Sequence, residues 1–463
     1  MTKSIDRTRL AFAAGVMSIV LVAGCDRVKG ELLAPQNPGL VDPSATANPT
    51  AALALRVGAL GRFKQVVNGS GNESIWQYGG TLADEYKNAD FEAGRIGADQ
   101  RNTDPLISWN YGGTTQSRGF IRDAISSMKT FTPDSAALIG EMYMELAFFE
   151  MTLADNYCNG IPLGHTVNGV MTNGEPLRIM QVYDSASAHL DTAIQLSNGA
   201  DAGSVYINRI ARVLKGRVLA AQGNYAQAAT FVTGVPTSYQ YVMTFSATSG
   251  SNGLWSINNS TARISVGDSS DVVNGQPNVI KNALPFASAN DPRVPVLRGD
   301  QLTPKVQAED GVTTPFYLGA LYRGQFDPLV IASGIDARLI EAEARANASD
   351  IPGMMTILNN LRTAGQTIGN YKVAVMPLLT TTPANKDEAI TLLYRERAFW
   401  TFGRGQRLAD LRKLVRNYGR TDAQVFPTGA YFKGGNYGTD ENFPVPSSEQ
   451  VNPLFTSCLD RKA

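Results

Sequence analysis

The sequence holds only two histidines and three cysteines in 463 residues. Too few imidazole and thiolate donors remain for a zinc cluster or an iron–sulfur centre, and no metal or cofactor is expected. Excess charge of either sign is missing as well. The 41 Lys+Arg balance the 41 Asp+Glu, so no electrostatic drive towards nucleic acid or an anionic membrane exists. There is no P-loop, no G-x-G-x-x-G after a strand, and no G-x-S-x-G elbow. Beyond the N-terminus, no apolar run is long enough to span a bilayer. What is present is the composition of a globular chain, 43% hydrophobic and 18% charged, with the length of one large domain or of several ordinary ones.

The N-terminus reads as an address. Lys3, Arg7 and Arg9 form a basic start, and Leu10 to Gly24 follow without a charge. That run suits a signal-peptide core better than a membrane span. Leu21-Val22-Ala23-Gly24-Cys25 then resembles a bacterial lipobox, in which cleavage before the cysteine frees it for acylation. Several acyl chains on Cys25 would anchor the protein stably, where a single chain is marginal. The plainer reading is an ordinary secretory signal with an accidental cysteine. The expectation is a signal peptide over 1–24 and a tether over 25–50, rich in Pro, Asn and Ala. Export leaves Cys158 and Cys458, either joined as one disulfide or buried as two thiols.

Apolar positions at helical spacing predict helices over 51–67, 133–157, 175–196, 204–221, 335–347, 352–363, 387–402 and 407–418. In the second of these, Leu138, Met142, Leu146, Phe149 and Leu153 mark one face, while Met144, Phe148 and Met151 load the other. Burial all round is expected there. Two junctions look alike. Gln222-Gly223-Asn224 and Asn347-Ala348-Ser349-Asp350 each divide helices rich in small residues. Such pairs resemble degenerate tetratricopeptide repeats. The 232–334 stretch lacks helical periodicity and is rich in Ser, Asn, Gly, Pro and Thr, which predicts loops and short strands on a helical scaffold over 51–231 and 335–463. Residues 68–119 also read as irregular.

Candidate chemistry is sparse. His165 and His189 have no evident nucleophile or orienting acid, so each reads as a surface or packing residue. Asp84/Glu85, Asp268/Asp271 and Glu341/Glu343 are carboxylate pairs on paper, as a glycosidase would need. Glu341 and Glu343 diverge on a helix, and Asp268 and Asp271 lie in a polar loop where solvation is the default. The aromatics are more suggestive. Trp76, Tyr78, Trp109 and Tyr111 cluster in the irregular early segment, with Trp255 in the middle. Aromatic faces stack on the C–H faces of sugars, which makes these five residues candidate ligand contacts. The structural alternative is that the rings anchor loops to the scaffold.

The C-terminal third carries the most specific pattern. Tyr394-Arg395-Glu396-Arg397-Ala398-Phe399-Trp400 is followed by Gly405-Gln406-Arg407-Leu408-Ala409-Asp410-Leu411-Arg412 and by Asn442-Phe443-Pro444-Val445-Pro446, with Glu449 and Asn452-Pro453 beyond. This block resembles the signature of the SusD/RagB family. Leu153 to Leu163 is similar to the family's Y-G-x-[VI]-P-L element, with Cys158-Asn159 inserted before Gly160. Leu146 stands where many members carry Arg. The resemblance implies a mostly α fold of tetratricopeptide-like helix pairs carrying a loop-rich ligand-binding region. It further implies a lipoprotein of the outer membrane, facing outside, that binds glycans or peptides without turning them over. Its partner would be a SusC-like TonB-dependent transporter. A surface glycoside hydrolase and a helical-repeat interaction scaffold are the competing expectations. Arg395, Glu396, Arg397, Arg407, Asp410 and Arg412 are expected to form an ion network between helices, a packing device and not a site.

Overall fold

The computed structural model describes residues 47–68, 74–167, 170–273 and 275–463. The expected signal peptide, Cys25 and most of the expected tether therefore lie outside the described residues. The chain divides into Met1–Ala51 and Ala52–Ala463, and the fold described below is that of the second unit.

Helices dominate it. The first runs over Pro49–Asn68 (α1), and two short ones follow at Ile75–Ala83 (α2) and Ala93–Asp99 (α3). Then come Tyr111–Phe131 (α4), Ala136–Asn156 (α5), Ile179–Leu196 (α6), Ala202–Ala221 (α7) and Tyr225–Val232 (α8). After a strand-rich stretch the chain resumes with Gly334–Asn347 (α9), Ile351–Thr363 (α10), Lys386–Trp400 (α11) and Arg407–Tyr418 (α12). Neighbours in sequence pack on each other: α4 on α5, α5 on α6, α6 on α7, α7 on α8 and α9 on α10. Both expected junctions turn the chain between paired helices. Gly223 takes a left-handed φ of +83° ahead of α8. At the second, Asp350 accepts the Gly353 N–H at 2.9 Å and caps α10.

Helix α5 is the central element and, as its sequence suggests, is buried on nearly every side. It carries acids into the interior, and most are answered from neighbouring helices. Glu141 pairs with Arg56, Glu150 with Arg118 and with His189 at 2.8 Å, and Asp155 with Arg217 at 3.5 Å. Glu145 makes no ion pair among the described residues. Burial, reinforced by the Glu141 charge and opposed by that of Arg56, pushes its carboxyl well above the usual range.

The segment expected to be irregular holds α2, α3 and the start of α4. Glycines hid α2 from a propensity reading, since Gly lowers helix stability by about 1 kcal/mol. Here they permit close approach: a Cβ on Gly79 would lie 2.5 Å from Asn156 Oδ1, and one on Gly80 2.7 Å from the Tyr86 ring. Capping supplies the missing start signals. Ser74 accepts from the N–H groups of Trp76 and Gln77, and Glu92 accepts from those of Gly94 and Arg95.

The ion network around α11 and α12 is real but reaches further than their own sequence. Arg397 meets Glu343 at 2.7 Å and Asp410 at 3.4 Å, and Lys413 meets Glu343 at 3.0 Å. Burial alone would raise Glu343, but Lys413 and Arg397 outweigh it and hold the carboxyl at about 2. Glu396 pairs with Arg293 and Arg362, and Arg407 with Asp84. Arg412 donates to the carbonyls of Ala154 and Asp155 at 2.8 Å each, which satisfies the C-terminal end of α5. Arg395 stays outside this network, exposed and over the Phe399 ring. Next to Asp84, Glu85 is fully buried and accepts the Gly403 N–H. Burial pushes it up to about 8 despite that hydrogen bond and the Arg407 charge.

Cys158 and Cys458 are joined by a disulfide. It ties the residue just past α5 to the C-terminal coil, and Asn159 adds a hydrogen bond to Asp460 at 2.8 Å. The strands are short antiparallel pairs. Tyr86–Asn88 (β1) pairs across the chain with Ile264–Val266 (β7), and Gln240–Met243 (β6) with Leu329–Ser333 (β12). Ser270–Val273 (β8) and Gln276–Val279 (β9) form a hairpin, and Val296–Arg298 (β10) pairs with Phe316–Leu318 (β11). The four two-residue to three-residue strands β2 to β5 lie between α5 and α6, at Ile161–Pro162, His165–Val167, Val170–Thr172 and Pro176–Leu177. No helix among the described residues is long and apolar enough to cross a membrane.

Candidate functional site

The aromatic platform expected from Trp76, Tyr78, Trp109 and Tyr111 is not on the surface. Trp109 and Tyr111 are each 1% exposed, and Trp76 and Tyr78 each 6%. Trp109 stacks on Phe443 at 4.8 Å, with Tyr78 edge-on at 5.4 Å, and Tyr111 meets Tyr157 edge-on at 5.0 Å. The rings cannot offer a face to a ligand: Tyr78 and Trp109 hold the F-P-V-P closure at Phe443, Tyr111 packs on Tyr157, and Trp76 packs on Phe148 of α5. The anchoring alternative is the one the structure takes. Trp255 differs. It is partly exposed at the start of a π-helical turn over Trp255–Ser260. Its place is outside the cleft described next.

The loop-rich stretch and the C-terminal coil enclose a cleft of about 560 Å³. Its walls come from β1, the β8–β9 hairpin, the β10–β11 pair and the coil at Phe432. Strand alternation sets the first wall: Tyr86 and Asn88 point inward, which leaves Lys87 between them for the cleft. The hairpin is docked onto the coil by Asn278, whose Nδ2 donates to the Ala430 carbonyl at 3.2 Å. Two rings line the space, Phe316 and Phe432, both partly exposed. Around them stand the amides Asn290 and Gln301 and the hydroxyls of Ser270, Ser288, Thr313 and Thr314. Exposed Val272 and Val312 add apolar surface at the edge, 61% and 78% exposed.

Phe432 is held on both sides by its chain neighbours. Tyr431, buried, donates its hydroxyl to Asp99 at 3.1 Å. Lys433 bonds the Asp90 carbonyl at 2.6 Å and Asn88 Oδ1, and pairs with Asp310 at 2.9 Å. Burial pushes Asp99 up to about 7, even though it accepts the Asn88 N–H at 2.8 Å. Burial also works on Asp310, but the hydroxyl and N–H of Thr313 outweigh it and keep that carboxyl below its ordinary value. Lys87 Nζ lies 3.7 Å from the centre of the Phe432 ring, a cation–π contact.

Of the carboxylate pairs weighed from sequence, only Asp268 and Asp271 reach the cleft. Their expected solvation is half right. Asp271 is nearly buried, paired with Lys87 at 3.2 Å and accepting from Asn278 at 2.9 Å. Asp268 accepts the Ser288 hydroxyl and the Ser269 N–H, each at 2.8 Å. Asp84, Glu85 and Glu343 belong to the core network, and Glu341 pairs with Arg338. His189 packs under Tyr143 against Glu150. No group of three or more His, Cys, Asp or Glu among the described residues could hold a metal ion. Phe316, Phe432, Lys87, Asn290, Arg298 and Gln301 escaped the sequence reading. A usable signal was Tyr431-Phe432-Lys433-Gly434-Gly435, an aromatic set among anchors in a glycine-rich coil.

No family model and no curated protein matches the sequence. Solved structures do match. A SusD-like carbohydrate-binding protein from Bacteroides fragilis superposes with a TM-score of 0.64 at 12% identity, over 89% of this chain and 99% of that one. Surface glycan-binding protein A from Bacteroides uniformis gives 0.64 at 12%, over 88% and 99%. A laminarin-binding SusD-like protein gives 0.59 at 15%, over 89% and 99%. The chain carries the SusD-like fold. At such identities the shared feature is the backbone.

Proposed function

We propose that the protein binds carbohydrate in the cleft between β1, the β8–β9 hairpin, the β10–β11 pair and Phe432, and that it does so without cleaving its ligand. The observation that carries this reading is the cleft's lining: two partly exposed phenylalanines beside amides and hydroxyls. Rings supply flat apolar surface for the C–H faces of pyranose rings, and the neutral polar groups supply donors and acceptors for hydroxyls. The volume is in the range of a small-ligand site, enough for a few sugar residues. That proteins of the same fold bind laminarin and other glycans supports the choice of ligand class. In the same reading Cys25 is acylated, the protein stands on the outer face of an outer membrane, and it passes its ligand to a SusC-like TonB-dependent transporter.

The test is a panel of polysaccharides in native affinity gels with the purified chain. Retardation by at least one polysaccharide is expected, weakened by Phe432→Ala and by Phe316→Ala, with no reducing sugar released. Release of reducing ends, or retardation indifferent to both substitutions, defeats the reading. Labelling with a radioactive fatty acid in the native host tests the anchor, and co-purification of a TonB-dependent transporter from solubilised membranes tests the partner.

A further inference from the structure

Resting on the carbohydrate reading of the cleft, we infer that its ligand is an uncharged oligosaccharide and that acidic glycans are turned away. Four charged side chains line the cleft: Lys87, Arg298, Asp268 and Asp271. Each cation already has a carboxylate partner. Lys87 pairs with Asp271 at 3.2 Å and lies over the Phe432 ring. The carboxylate of Asp271 is fixed in turn, 2% exposed and held by Asn278. Arg298 donates from Nε and Nη2 to the two oxygens of Asp300, at 2.8 and 3.0 Å, a bidentate pair that neutralises its charge and engages two of its five N–H groups. Lys305 also acts on Asp300 but does not line the cleft.

A uronate or sulfate entering the space would meet two cations already neutralised and the carboxylate of Asp268, which makes no ion pair among the described residues and repels it. To gain a charge partner it would have to displace Asp271 from Lys87, with no net gain of ion pairs, or share Arg298 with Asp300, placing two anions on one guanidinium. A neutral sugar needs no such exchange. Asn290, Gln301, Ser270 and Thr314 offer it mixed donors and acceptors, Ser288 offers an acceptor, and Phe316 and Phe432 offer it faces. The rim pairs therefore act as a charge filter.

The experiment is calorimetric titration of the purified chain with two sets of hexasaccharides. The neutral set is laminari-, malto-, cello-, xylo- and mannohexaose. The acidic set is oligogalacturonate, oligoalginate and a heparin hexasaccharide. At least one neutral member is expected to bind, its affinity changing less than about twofold between about 0.05 and 0.5 M salt, with no acidic member bound. Binding of an acidic member in preference, weakened by Phe432→Ala and falling steeply with salt, overturns the inference and leaves the carbohydrate reading standing. Binding of neither set overturns the carbohydrate reading and the inference with it. The variant Asp300→Asn isolates the filter, because Asp300 is exposed and lies outside the lining. It frees Arg298 and is expected to raise affinity for the acidic hexamers about tenfold or more, leaving the neutral one within about twofold. An Asp300→Asn protein that still rejects every acidic hexamer also sinks the inference.

Discussion

The helical body and the loop-built face treat polar groups in opposite ways. In the body, Glu343 gathers Arg397, Lys413, Tyr394 and Tyr418 around one carboxylate. Most buried charges there are consumed by holding helices in register, and the largest rings are consumed by packing. On the face, strands of three or four residues leave side chains that no regular neighbour covers. Amides, several hydroxyls and parts of two phenyl rings therefore face the cleft, where a solute can meet them. The contrast teaches where binding capacity comes from in this chain: it lies where secondary structure is too short to use up its own side chains.

That contrast can be broken by substitution. The largest expected effect is in the body. Arg397→Ala leaves Glu343 and Asp410 short of a buried partner and is expected to cost about 3–5 kcal/mol of stability by urea unfolding. Trp109→Ala, which opens a cavity beside Phe443, is expected to cost a similar amount, about 3–5 kcal/mol. In both, glycan retardation of the remaining folded protein is unchanged. If Trp109→Ala abolishes retardation at unchanged stability, the assignment of that ring to the interior is wrong.

Next in size is the disulfide. Replacing Cys158 and Cys458 together by Ser is expected to lower stability by about 2–4 kcal/mol, measured by the same unfolding curves, with cleft affinity intact. The face responds differently. Phe432→Ala removes a ring that packs on Lys87 and is partly exposed, and it is expected to shift the unfolding midpoint little. It should weaken glycan binding about tenfold, roughly 1.4 kcal/mol, in titration. A large stability loss in that variant would erase the distinction between body and face.

The body also carries a pH dependence. Folded Glu85 keeps its proton up to about pH 8, whereas an ordinary glutamate releases it near 4.5. Between those values the unfolded chain binds fewer protons, so stability falls as pH rises and levels off above the folded value. Glu85→Gln retains the acceptor for Gly403 and removes the titration. Its melting temperature is expected to exceed that of the parent more at pH 8 than at pH 5. Equal differences at the two pH values would show that Glu85 titrates normally.

The body was largely legible in the sequence and the face was not. The 3.6-residue spacing in α5 and the small-residue junctions before α8 and α10 are local signals, readable without knowing the partner. The R-E-R and G-x-R-x-x-D-L-R elements located α11 and α12, but not the acids that answer them. Asp84, Glu343 and the basic Arg293 lie far away in sequence, so only the folded chain could name them. The early tryptophans misled for a related reason. An indole in a glycine-rich stretch reads as a loop ring until the glycines are seen to admit neighbours, as Gly405 admits Trp76. Phe432 gave no periodic signal at all, because its position is fixed by Asp99, Asp90 and Asp310 through the residues beside it.

The bond between Cys158 and Cys458 spans 300 residues of sequence. In an oxidising compartment the first thiol would arrive well ahead of its mate and stand open to capture by any stray sulfur. In the finished fold Cys158 is fully enclosed, and the cover comes from the same late segment: its N–H donates to the Phe443 carbonyl at 2.9 Å and the Val445 N–H donates to its sulfur at 3.3 Å. The coil that delivers the second cysteine is thus also the lid over the first, so closing the crosslink and sealing it are one event.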